Sequence, residues 1–163
     1  MSELAALKVI HDEVVRRFQY ESERTKRLDD KASNVMGFVG IITGLVSGLG
    51  ALALKVPTNL TEVIATILFF LTIAALICSF VFSLIGYRIK KFIIVPDAYF
   101  LIGAYEGKHK ERILRDLNDN YAVAIEENMT LNNRKVAHIN RAMYALFLGI
   151  LLIPLFAFFT LVK

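Results

Sequence analysis

Cysteine is almost missing from these 163 residues: Cys78 stands alone in the middle of an apolar stretch, which excludes a disulfide framework and leaves it as a small packing residue. Catalytic sets are missing too. His11, His109 and His138 lie far apart without ligand spacing, and no acid/base pair or activated nucleophile can be assembled, so no catalytic residue, metal or cofactor is expected. The most informative absence is of charge. Val35 to Leu54, Val63 to Tyr87 and Ala142 to Val162 contain no acidic or basic residue, and each is at least 20 residues long.

A helix needs about 20 apolar residues to cross roughly 30 Å of hydrocarbon, where only a helix closes its own backbone hydrogen bonds. Soluble core helices of such length carry a polar stripe, whereas these carry only Ser, Thr, Cys and one interior proline, Pro154. The first stretch follows 34 residues rich in both charge signs, unlike a cleavable leader, and is expected to stay in the mature chain. The fold class is therefore all-α: a polytopic membrane protein with three transmembrane helices and long cytosolic helical extensions, in one membrane domain over 1–163. Its expected parts are a cytosolic amphipathic helix (1–34), span 1 (35–54), span 2 (63–87), cytosolic interfacial and amphipathic helices (88–141) and span 3 (142–162).

Basic residues sort by side. Residues 1–34 hold seven Lys/Arg and 88–141 hold ten, against one each in the 55–62 turn and at the C-terminus. The positive-inside rule then puts the N-terminus and the 88–141 segment in the cytoplasm and the C-terminus outside. The net charge of +4 does not indicate nucleic acid, because seven acidic residues balance the seven basic ones in 1–34 and no binding motif accompanies them.

Residues 3–33 read as a helix with Leu4, Leu7, Val14, Phe18, Leu28 and Ala32 along one seam. His11, Glu21 and Thr25 fall on the same seam, which suggests a bundle helix rather than a regular coiled coil. No Pro or Gly intervenes before Gly37, so the helix is expected to continue into span 1. The turn holds Pro57, with Thr58 or Asn59 to cap span 2. Asp97 can cap a short interfacial helix carrying Tyr99, Phe100 and Tyr105, and Gly107 separates it from a second amphipathic helix, Lys108 to Asn140, with Leu114, Leu117, Tyr121, Ala124 and Leu131 on one seam. Two parallel cytosolic helices then form a stalk. Asp29, Lys31 and Lys135 mark its junction with the membrane.

Gly40, Gly44 and Gly48 repeat at i+4 in span 1 and, extended by Gly37, form a smooth ridge that lets another helix approach closely. Span 2 offers Ala75, Ser79 and Ser83, and span 3 offers Ala145 and Gly149. These rows either pack the spans of one subunit together or form an interface between subunits. Thr43, Ser47, Ser79 and Ser83 are the candidate pore-facing hydroxyls, although a buried hydroxyl equally bonds its own helix.

The run Arg24-Thr-Lys-Arg-Leu28-Asp29-Asp-Lys31-Ala32 before a glycine-rich span, and Asn128-Met-Thr-Leu-Asn-Asn-Arg-Lys135-Val-Ala137 before the last one, resemble the Pycsar transmembrane effector family, and SLATT effector domains share the layout. The resemblance implies an oligomeric protein of a prokaryotic inner membrane that perturbs or permeabilises the bilayer on a cytosolic signal. No separate cyclic-nucleotide-binding domain is visible in the chain. Two functions follow as expectations: a homo-oligomer that conducts ions or disrupts the membrane, gated through its cytosolic helices, or a non-conducting anchor whose stalk binds a soluble cytosolic partner.

Overall fold

The computed structural model describes residues 3–54, 56–89, 93, 103, 105, 107 and 109–161. Among these the chain forms three helices and no strand: α1 (Glu3–Ala53), α2 (Leu60–Arg88) and α3 (Lys110–Leu161). Each contains a stretch long and apolar enough to cross a membrane, with mean hydropathy 2.0, 2.7 and 2.4 in chain order. The protein is an all-α, multi-pass membrane protein. The expected continuity of α1 holds, since it passes from its charged half into span 1 without a break; α3 likewise passes into span 3 and continues through Pro154. The interfacial segment with Asp97, Tyr99 and Phe100 lies outside the described residues.

The seam of α1 is more regular than its sequence suggests. Leu4, Leu7, His11, Val14, Phe18, Glu21 and Thr25 are all buried or half-buried, and Leu28, Ala32, Val35, Val39, Ile42 and Val46 continue the same alternation of three and four. Spacing of 3.5 residues is the heptad period of a coiled coil. His11, Glu21 and Thr25, which the sequence already places on this seam, are in register with its apolar positions. On α3 the same period links Tyr121, Ile125, Asn128, Asn132, Lys135, Ile139, Ala142, Leu146 and Gly149, again all buried or half-buried.

The chain divides into two compact units, a polar one (Met1–Arg27 with Lys90–Arg134) and an apolar one (Leu28–Ile89 with Lys135–Lys163). The apolar unit begins at Leu28 and at Lys135, one heptad before the expected span starts Val35 and Ala142. Its centre is Val35 and Val39 of α1, Leu76 of α2 and Ala142 of α3, with Ile42, Phe82 and Leu146 packed around them. α2 runs antiparallel to α3: Gly149 lies against Leu76 and Ala75, while Gly86 lies against Ile139 and His138.

The turn into α2 caps itself. Asn59 is the N-cap; its side-chain oxygen accepts from the Glu62 N–H at 2.9 Å and from the Thr61 hydroxyl at 2.7 Å. The Glu62 carboxylate reaches back to accept from the Thr58 N–H at 2.7 Å. Such reciprocal bonds satisfy N–H groups that a helix start leaves open.

Candidate functional site

In the polar unit, the seam positions that hydrophobic patterning leaves unexplained meet one another. Glu21 is only 7% exposed. The side-chain amide of Asn132, itself buried, donates to the Glu21 carboxylate at 2.7 Å and to the Glu21 carbonyl at 3.1 Å. Arg24 approaches the same carboxylate at 3.4 Å and donates to Asn133 at 3.0 Å, while the Thr25 hydroxyl lies 2.9 Å from both the Glu21 carbonyl and Asn132 Oδ1. Burial of a carboxylate is tolerable only with such partners.

Two further asparagines serve the same unit. His11 Nδ1 lies 3.0 Å from Asn118 Oδ1, and the His11 and Phe18 rings meet Tyr121 edge-on. Asn128 is fully buried and grips one residue of the α2–α3 connection, accepting from the Ile93 N–H at 2.9 Å and donating to its carbonyl at 3.1 Å. On the outer surface Glu13 accepts from both Arg17 and Arg16, and these bonds hold its carboxyl below its ordinary value.

At the start of the apolar unit, Lys135 Nζ lies 2.6 Å from Asp29 Oδ1. The lysine side chain is 2% exposed and the aspartate 31%. Of the three expected junction residues, Asp29 and Lys135 are therefore joined, and Lys31 is exposed. The partner of Asp29 is on the other long helix, not two residues along its own.

The small-residue rows separate into two classes. Ala75, Ser79, Ser83 and Gly149 are buried inside the apolar unit and Ala145 is half-buried, so these rows pack the spans of one chain. The Ser79 hydroxyl donates to the Ala142 carbonyl at 2.8 Å, tying α2 to α3. Gly37, Gly40, Gly44 and Gly48 are exposed, and a Cβ built at any of them meets nothing within 4 Å among the described residues. Their ridge lies across α1 from its buried Val35, Val39 and Val46 face. The four candidate pore hydroxyls are likewise not on one wall, because Ser79 and Ser83 point into the core, Thr43 is half-buried and Ser47 is exposed.

Sequence reasoning missed Glu21, Asn118, Asn128 and Asn132 as a set. Their heptad spacing with the apolar seam was the available signal. The arrangement joins two long helices by polar contacts in one unit and by an ion pair and close packing in the other.

A family model described as the Pycsar effector protein domain, PycTM, matches residues 14–162. No curated protein and no solved structure matches the chain.

Proposed function

The chain belongs to the PycTM family of Pycsar effector proteins, and from that premise we propose that it is a homo-oligomeric membrane effector whose copies together form an ion-conducting or membrane-perturbing assembly. The observation that carries this reading is the outward ridge of Gly37, Gly40, Gly44 and Gly48, which the chain's own packing leaves unused. In hydrocarbon, helices associate through close backbone approach rather than apolar burial, and a smooth glycine ridge is suited to a second copy. The core of one chain is filled by Val39, Leu76 and Ala142, so a conduit belongs between copies.

Gating is assigned to the helices that carry the polar seam. α1 and α3 each hold seam residues and a span on one continuous helix, and the Asp29–Lys135 pair fixes their relative position at the first turn of the apolar unit. A signal that alters the seam would then be felt by the spans. The basic residues of 1–34 and 88–141 support a cytoplasmic N-terminus in a prokaryotic inner membrane, with the signal arriving from that side.

The test is ion flux from proteoliposomes together with the mass of the same sample in nanodiscs. A defined oligomer that conducts, and loses both properties in Gly44→Leu, is the expected result. A monomer that never conducts would overturn the proposal in favour of an anchor whose polar helices hold a soluble partner.

A further inference from the structure

Among the described residues of the apolar unit, most acidic side chains are engaged, but of the basic ones only Lys135 is. Asp29 is held by Lys135, and Glu62 accepts from Thr58 at the far turn. Asp30 is exposed beside Lys31, while Arg88 and Arg141 are exposed and make no hydrogen bond or ion pair among the described residues. Arg141 is the more unusual of the two because of its depth. Gly149 is opposite Ala75 and Leu76, and Gly86 is opposite His138 and Ile139, so this antiparallel register puts Arg141 level with Ser83. It therefore sits five residues, about 8 Å, further into the apolar unit than Arg88.

Arg141 points away from the buried Ile139 and Ala142 face. Helical side chains lean toward the helix N-terminus, so its guanidinium reaches back toward the charged end of the unit while its stem covers apolar surface. Ala137, Tyr144 and Leu148 share its face at i−4, i+3 and i+7, and all are exposed, Tyr144 to 76%. Along the membrane normal this stripe presents a small residue, a cation with two parallel donors, a phenol and an aliphatic side chain. A phospholipid presents the complementary order: headgroup, phosphate, glycerol esters and acyl chain.

We infer that Arg141 and Tyr144 bind an anionic phospholipid on the outward face of α3, with Arg141 on the phosphate and Tyr144 at the ester level. Guanidinium is suited to this role because it grips phosphate oxygens in pairs and remains charged at the edge of hydrocarbon. The anionic headgroup is favoured over a zwitterionic one by the charge of Arg141 itself, which no carboxylate among the described residues neutralises. This site is separate from the glycine ridge on α1, so its test does not depend on assembly or conduction.

The experiment is native mass spectrometry of the full chain taken up in micelles containing equal phosphatidylglycerol and phosphatidylcholine. The wild type is expected to retain phosphatidylglycerol preferentially; Arg141→Gln should lower that retention about fivefold, and Tyr144→Phe about threefold. Arg141→Lys, which keeps the charge but not the fork, should fall between wild type and Arg141→Gln. Arg112→Gln removes an exposed cation of the polar unit and should change nothing. Equal retention of both lipids by the wild type, an unchanged preference in Arg141→Gln, or an equal loss in Arg112→Gln would each overturn the site. Should Arg141→Gln not fold, Arg141→Lys and Tyr144→Phe decide it, since unchanged retention in both is incompatible with the contacts assigned.

Discussion

The polar and apolar units share one heptad period and use opposite chemistry on it. In the polar unit α1 places His11, Glu21 and Thr25 on the seam against asparagines of α3, whereas in the apolar unit it places Val35 and Val39 in a core with Leu76 and Ala142. The solvent explains the difference. In water, apolar burial drives association without specifying it, and a paired polar layer sets register at some cost in stability. In hydrocarbon that drive is absent, and closeness of approach decides which faces meet. Partner choice is thus encoded by hydrogen bonds in one unit and by missing side chains in the other.

The junction pair offers the strongest way to break this contrast. Asp29→Ala leaves the buried Lys135 ammonium without its partner and should lower stability by about 3–5 kcal/mol. Lys135→Met should cost less, because Asp29 is partly exposed and can take up water, and Asp29→Leu combined with Lys135→Met should recover most of the loss. Thermal unfolding in detergent, followed by circular dichroism, ranks the three; equal costs for the two single changes would mean that Lys135 is not held out of water.

Within the polar unit, Asn132→Ala removes two hydrogen bonds to buried Glu21 and should cost about 1–3 kcal/mol on the same measurement. Beyond its junction pair, the apolar unit should respond chiefly to bulk. A Cβ at Gly149 would come within 3.0 Å of Leu76, so Gly149→Leu should destabilise the single chain by about 1–3 kcal/mol. Gly44→Leu, with open space around it, should leave unfolding of the single chain within about 0.5 kcal/mol of wild type. Similar losses from both glycine changes would erase the distinction between inward and outward rows.

The smallest effect concerns pH. The Arg17 and Arg16 bonds lower the Glu13 pKa in the folded chain, so its contribution is complete above the ordinary value of 4.5 and is lost as pH falls through the lowered one. The wild type should therefore lose slightly more stability than Glu13→Gln on acidification from pH 6 to 3. Parallel pH profiles would remove that role for the outer surface of the polar unit.

The spans were legible because absence of charge over 20 residues is a local signal, and a cap at Thr58 or Asn59 was legible because a helix start needs an acceptor there; the structure selects Asn59. Glu21, Asn118 and Asn132 were not. Each is an unfavourable seam residue taken singly, and what makes it favourable lies 107 to 111 positions away along the chain. The direction of the glycine ridge was hidden for a related reason: i+4 spacing defines a face of α1, but only the positions of α2 and α3 decide whether that face points inward.

The self-capped turn between α1 and α2 bears on biogenesis. A hairpin that inserts with its charged N-terminal flank left behind must carry this turn through the bilayer, with Lys55 and Glu62 as its charged side chains. An N–H without an acceptor costs several kcal/mol in hydrocarbon, and a charge at its centre about 2.5–3.5 kcal/mol. In such an insertion, the acceptors that Asn59 and Glu62 bring into the turn would lower the barrier to crossing, and would bear on how quickly the hairpin enters the membrane as well as on its stability afterwards.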